Sequence, residues 1–376
     1  MQARLQVGKA LAAALRDPES LTHLSASDLD LMIRCSRQVR LHGRLGALLD
    51  DAGLLDRLDP SARDLLISAR NMAKARERVA LWELDRLAWA VASDFAKPLV
   101  CTKGAAYILL QVPNVAGRIF ADVDLIVEEQ SIASAENLLN ERGWKTKRLT
   151  PYDDNYYRKW THELPPLTHV ERDVEVDLHH NILPRTARLK PDADVMLGDI
   201  ESIEDSPFFV LSDVDLVLHA AVHLMFDSEL ADKLRDLLDF EILVQHFSAQ
   251  DDSFWHRLAD RAETQGLERP LYYCVRYTTM LLNGDYPQDF EGRCEMHAPA
   301  KPIQWLMDVM VPRALLPSHP DISDRLNGLS RLILYIRSHW LRMPPWLLAY
   351  HLGYKFYRMR IRPRLPWTGD APTFEV

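Results

Sequence analysis

The chain has 376 residues, 47% of them hydrophobic and 26% charged, a balance that suits folded globular domains and excludes a disordered, collagen-like or disulfide-scaffold protein. At about 150 residues per domain the length allows two to three domains. The net charge of -9 argues against general nucleic-acid binding, yet residues 325–369 hold nine Lys/Arg and no Asp/Glu, leaving 36 basic against 54 acidic residues elsewhere.

No stretch supplies the roughly 18 uninterrupted apolar residues of a membrane span. The apolar run from Leu11 to Leu15 is closed by Arg16 and Asp17, with no small-residue cleavage site after it, so a cytoplasmic location is expected. Cys35, Cys101, Cys274 and Cys294 lie far apart, never at CxxC spacing, and read as buried, reduced thiols.

Residues 1–96 read as helices. Ser27-Asp28 is the expected cap before Leu29, and Asp59-Pro60 the cap and first-turn proline of another helix. From Ala73 to Phe95 the residues Val79, Leu81, Leu84, Leu87 and Val91 fall near one stripe. The texture changes at Lys97-Pro98. Leu99 to Thr102 predicts a strand, Lys103-Gly104-Ala105 a turn into a helix, and 118–127 a strand, followed by a helix ending at Gly143. Further strands are expected at 144–149 and 174–179. From Ser212 the pattern is helical again, with proline breaks near 299–302 and 312–320. The expected division is a helical region at 1–96, a mixed α and β core at 97–205, a helical domain at 206–324 and a basic aromatic tail at 325–376.

Asp122-Val123-Asp124 lies in a strand-like run, where residues i and i+2 share a face, so two carboxylates stand side by side. That pair suits Mg²⁺, though a tripeptide alone also suits a solvated loop. Asp213-Val214-Asp215-Leu216 repeats the same four residues, but Ser212 and the helical spacing after it mark the acidic first turn of a helix. The first copy gains from its company. In Glu175-Val176-Asp177-Leu178-His179 the polar residues alternate onto one face, so Asp177 can join as a third acid with His179 in support. Glu175 is then expected nearer the rim. The Lys103-Gly104-Ala105 turn offers free backbone N–H groups to phosphate, and Arg118 can neutralise phosphate charge. Together these suit metal-assisted phosphoryl or nucleotidyl transfer.

His219, His223 and Asp227, spaced by four, read either as a metal or phosphate face or as packed helix residues. His162 to Pro166 reads as a loop, and His180 as facing the opposite layer from His179. The basic tail reads either as a docked helix or as a peripheral contact with a membrane or another anionic partner.

The order of strand, Lys-Gly-Ala at a helix start, Arg then Asp-x-Asp-Leu-Ile-Val, a helix ending in Gly-Trp, and Val-Asp-Leu-His resembles a poorly characterised bacterial nucleotidyltransferase family. That family is a branch of the DNA polymerase β-like nucleotidyltransferase superfamily, often found beside polysaccharide and peptide biosynthesis genes. The resemblance implies an α+β fold, with a small mixed-sheet nucleotidyltransferase-like core flanked by N-terminal and C-terminal helical domains. It implies Asp122, Asp124 and Asp177 as ligands of two Mg²⁺ ions, with Mn²⁺ as the alternative. Lys103, Gly104, Ala105 and Arg118 would meet the phosphates of a nucleoside triphosphate, and an unknown acceptor would reach His219 and His223. Ala105 and Ala121 depart from the superfamily pattern, which has a hydroxyl residue at the first and Gly or Ser at the second. The rivals are a non-catalytic scaffold of the same fold and a metal-dependent phosphohydrolase, for which the expected His-Asp clusters are missing.

Overall fold

The computed structural model describes residues 2–91, 94–146, 149–227, 229–322 and 324–357. Helices α1 (Gln2–Arg16), α2 (Ala26–Gln38), α3 (His42–Asp51) and α4 (Pro60–Val91) form the N-terminal layer. Helix α2 is capped by Ser25, whose hydroxyl accepts from the Asp28 amide, two residues before the expected cap. Helix α4 is continuous over 32 residues. Its expected stripe is only half right, since Leu84, Leu87 and Val91 are buried while Val79 and Leu81 are exposed.

The core follows as β1 (Leu99–Thr102), α5 (Lys103–Leu109), β2 (Asp122–Ile126), α6 (Ile132–Glu141), β3 (Trp144–Thr146), α7 (Pro151–Trp160), β4 (Leu167–His169), β5 (Glu175–His179), α8 (Ala193–Leu197), β6 (Ile200–Ser202) and β7 (Phe208–Leu211). These strands make one mixed sheet in the order β3-β4-β5-β2-β1-β7-β6. The fold is α+β, as expected. Strand β7 lies beyond residue 205, where the sequence reading ends the core, and it pairs in parallel with β1. The sheet is therefore complete only at Leu211.

Val123 and Leu125 on β2, with Val176 and Leu178 on β5, are fully buried on one face of the sheet, on which α4 and α6 pack. Gly143, at φ +103°, ends α6 and lets the chain turn into β3; a Cβ there would lie 2.7 Å from the His169 ring. Glu83 ties α4 to the sheet. Fully buried, it accepts from the Trp144 indole at 2.7 Å and from Arg172 at 2.7 Å.

The C-terminal helices are α9 (Asp213–Val222), α10 (Leu234–Ser248), α11 (Phe254–Gln265), α12 (Glu268–Leu282), α13 (Gln288–Met296), α14 (Lys301–Leu315), α15 (Asn327–Arg342) and α16 (Pro345–Phe356). Pro312 does not break α14, because it sits one turn from the C-terminus, where a single lost amide bond is tolerated. One apolar core runs from Leu11 to Leu334 through the N-terminal helices, the sheet and the C-terminal helices. All four cysteines are buried and form no disulfide. Among the described residues no helix is long and apolar enough to cross a membrane.

Candidate active site

Strands β2 and β5 are parallel neighbours, with Asp124 opposite Asp177 and Asp122 opposite Glu175. Adjacent strands lie about 4.8 Å apart, so residues at matching positions put their side chains next to each other. The polar alternation of both strands falls on the same face of the sheet, away from α4 and α6. Three acids and His179 thus share one small area.

Asp124 is at its centre, with a side chain only 3% exposed. Its Oδ1 accepts from Lys103 Nζ at 2.6 Å and lies 3.1 Å from His179 Nε2. Burial opposes the charge on Asp124, but Lys103 and His179 overcome it and hold the carboxyl far below the usual range. Burial likewise opposes a charged His179, but the Asp124 hydrogen bond together with the charges of Glu163 and Asp124 outweighs it, raising the ring's pKa. Lys103 adopts a left-handed backbone, φ +46°, which costs a side-chain-bearing residue about 1–3 kcal/mol. Its ion pair with Asp124 helps hold it there.

Asp177 is pushed up to about 7, first by burial and then by the neighbouring Asp124 charge. Its Oδ1 is buried without a hydrogen-bond partner. Asp122 is more exposed and is also raised, again by burial and then Asp124. Ligand atoms of Asp124, Asp177 and His179 lie within 4.8 Å of one another, a spacing that a metal ion can bridge. Asp122 stands outside this group, on the wall of the cleft in front of it. The carboxylates fit a hard divalent cation, because an orphaned buried oxygen and two acids of raised pKa are what a cation would satisfy.

The cleft has a volume of about 270 Å³ and is lined by Lys103, Gly104, Arg118, Asp122, Asp124 and His223 among others. Arg118 is half-buried, pairs with Asp239 and lies over the Tyr107 ring at 5.4 Å, so it is less available to a ligand than the sequence suggested. Sequence reasoning missed three cations on the same wall, Arg40, Lys233 and Arg235. Lys233 and Arg235 sit at the start of α10, where the macrodipole disfavours positive charge, and that misplacement was a readable signal. Ala105 is buried in α5 and does not line the cleft, and His219 is buried, with a pKa depressed mainly by burial and next by Lys103. The Asp227 side chain lies outside the described residues.

A second pocket, of about 210 Å³, opens beside the acids and is lined by Tyr156, Tyr157, Thr161, His162, Glu163 and Arg342 among others. The segment read as a loop at His162 to Pro166 runs along the end of β5, with Glu163 bridged to His179 and the Leu164 amide donating to the Leu178 carbonyl at 2.8 Å. Glu163 thereby comes within 3.5 Å of His179 Nδ1, and His162, Glu163 and His179 form a second group of potential metal ligands. Burial raises the Tyr157 hydroxyl, as do the charges of Glu163 and Asp177, which places this pocket within electrostatic reach of the acids.

The other Asp-Val-Asp copy starts α9, as expected, but Asp215 is fully buried against Arg261 rather than lying in solvent. The basic tail is docked where it is described: Arg331 pairs with Asp232 at 2.6 Å, and Arg337 donates to the Met225 carbonyl at 2.9 Å. Residues 358–376 lie outside the described residues.

A family model described as an uncharacterised nucleotidyltransferase matches residues 25–283, more than half of the chain. No curated protein and no solved structure matches it.

Proposed function

Because the chain belongs to this uncharacterised nucleotidyltransferase family, we propose that it is a metal-dependent enzyme of the polymerase β-like kind, moving a nucleoside monophosphate from a nucleoside triphosphate to an acceptor hydroxyl. The observation that carries the reading is the pairing of Asp124 with Asp177 across β2 and β5 in front of a cation-lined cleft. Asp122, Asp124 and Asp177 would hold divalent metal, Mg²⁺ or Mn²⁺, which when bound would neutralise triphosphate charge and polarise the α-phosphate.

The chain's own groups divide the remaining work. Lys103, Arg40, Lys233 and Arg235 gather the triphosphate in the larger cleft, with Gly104 leaving room for its approach. His179 and Lys103 keep Asp124 ionised and oriented. Asp177, raised to about 7 without metal and drawn back toward the ionised form by a bound cation, is placed to accept the proton of the attacking hydroxyl. The acceptor oxygen forms a bond to the α-phosphorus, the bond from that phosphorus to the β-bridging oxygen breaks, and pyrophosphate leaves.

The acceptor would enter through the second pocket, past Tyr157 and Glu163, rather than beside His219 and His223 as the sequence reading has it. Two separate pockets give triphosphate and acceptor separate approaches to the acids, which suits in-line displacement. A role beside polysaccharide or peptide biosynthesis agrees with hydroxyl-bearing acceptors. The test is incubation of α-labelled nucleoside triphosphates, Mg²⁺ and a small-molecule cell extract, with products read by mass spectrometry and Asp177→Asn as the blank. A new species heavier by one nucleoside monophosphate is expected. Release of γ-phosphate alone would mark a phosphohydrolase and end the proposal.

A further inference from the structure

Helix α15 packs Ile333, Leu334 and Leu341 against the core and shows a second apolar stripe to the outside. An ordinary surface helix buries its apolar stripe and shows its polar face to water. In α15 the buried positions are Ser330, Leu334 and Ser338, and two arginines dock it, Arg331 on Asp232 and Arg337 on the Met225 carbonyl and over the Phe226 ring. Four further large apolar residues face outward: Leu329, Leu332, Ile336 and Trp340 are 52, 55, 54 and 47% exposed. At 100° per residue these four fall within an arc of about 80°, one stripe along the outer side of the helix. The two helices packed against α15 add to the display, α14 with Trp305 at 66% exposure and α16 with Trp346 at 63%.

A contiguous exposed apolar stripe of this kind marks an interaction surface. The charge says what it meets. Residues 325–369 contain nine Lys/Arg and no Asp/Glu, whereas the rest of the chain is strongly acidic. An anionic lipid surface would attract this end and repel the remainder, fixing the orientation of approach. Tryptophan is the residue favoured where hydrocarbon meets headgroups. No described helix can span a bilayer, so the contact is made in the plane of the surface.

We propose that α15, with the exposed tryptophans of α14 and α16, is a peripheral docking surface for anionic phospholipid membranes. The stripe of Leu332 and Ile336 enters the headgroup boundary, and exposed cations beside it supply the attraction: Arg325, just before α15, and Arg188, whose guanidinium lies over the Trp340 ring at 4.3 Å.

The test is co-sedimentation of the full-length protein with vesicles, without nucleotide or metal, so its outcome is independent of the proposed transfer reaction. Binding to phosphatidylglycerol-containing vesicles is expected, weakened by added salt and absent on pure phosphatidylcholine. The Leu332→Asp/Ile336→Asp variant should lower partitioning by about tenfold or more, since buried apolar area scales the binding. Leu332→Ser/Ile336→Ser serves as the milder second variant, and thermal melting checks that both fold. No wild-type binding to anionic vesicles, or equal binding to both vesicle types, would overturn the proposal. So would a wild-type dimer in light scattering that the same substitutions convert to monomer, which would assign the face to a second copy of the chain.

Discussion

The same four residues, Asp-Val-Asp-Leu, occur at 122–125 and at 213–216 and are set in opposite surroundings. In the first copy β2 lays both acids on one face, and the parallel neighbour β5 adds Asp177 directly opposite Asp124. In the second copy α9 splays them apart and each meets an arginine. Asp213 receives Arg257 at 2.8 and 2.6 Å, and the buried Asp215 receives Arg261 at 2.9 and 2.6 Å. Acids matched by arginines need nothing further. Burial and crowding by other acids keep Asp122 and Asp177 raised despite Lys103, His179 and the cleft arginines, and that deficit is what a cation can fill. The charge around a motif thus separates a structural use from a chemical one.

The comparison breaks most visibly in activity. Asp124→Asn should cut nucleotidyl transfer about a thousandfold or more, the size of losing several kcal/mol of charge stabilisation, and should abolish the Mg²⁺ signal in titration calorimetry. Asp213→Asn in the same assays should behave as wild type. If the two results were exchanged, the wrong copy has been taken for the site.

Stability should sort the copies differently. Asp215→Asn removes the buried counter-charge of a half-buried Arg261, which keeps only the exposed Asp199 at 3.0 Å, and should cost about 1–3 kcal/mol, seen as a shifted denaturant midpoint, with Mg²⁺ and nucleotide binding retained. The view of both acids as a mild helix-start effect, natural from sequence, fails here because Asp215 is buried. Asp124→Asn should also destabilise, since Lys103 and His179 lose the charge they share.

The pH dependence sharpens the contrast. Asp177 has a folded pKa of about 7 against an unfolded value near 3.9. Below about pH 4 both states carry the proton and the residue contributes nothing. As pH rises toward 7 the unfolded state ionises first, so folding stability falls, by at most about 1.4 kcal/mol per unit, and levels off above 7. Wild-type unfolding free energy minus that of Asp177→Asn, measured from pH 4 to 8, should show this decline, and divalent affinity should climb over the same window. A flat difference would remove the crowding argument.

The smallest effects belong to the outer acid of each copy. Asp122→Asn should leave apo stability within about 1 kcal/mol of wild type or raise it, because like-charge repulsion is relieved. Asp213→Asn should cost less than about 1 kcal/mol, since its arginine is 42% exposed and screened. Parallel melting curves of the two variants check both.

Much of the site was legible because alternation along a strand is a local property. The faces of 122–124 and 175–179, and the Lys103 turn after β1, follow from spacing alone. What was not legible was anything requiring distant segments to meet. The register that puts Asp177 opposite Asp124 joins strands some fifty residues apart. The cleft cations Arg40, Lys233 and Arg235 come from the end of α2 and the start of α10. Strands β4 and β6 have three residues each and read Leu-Thr-His and Ile-Glu-Ser, too short and too polar for periodicity to register. β7 was missed because a wholly apolar Phe-Phe-Val-Leu run has no alternation to detect.

Glu83 has a practical bearing on how this protein can be taken apart. It belongs to the N-terminal helical layer, yet its carboxylate is the partner of Trp144 on β3 and Arg172 before β5. A shortened gene product beginning at residue 97 would strip that carboxylate away, leaving an indole N–H without its acceptor and a guanidinium without its counter-ion in what had been interior, along with bare Leu84 and Leu87 contacts. Such a fragment should be recovered from inclusion bodies, while the chain with α1 to α4 whole should remain in the supernatant.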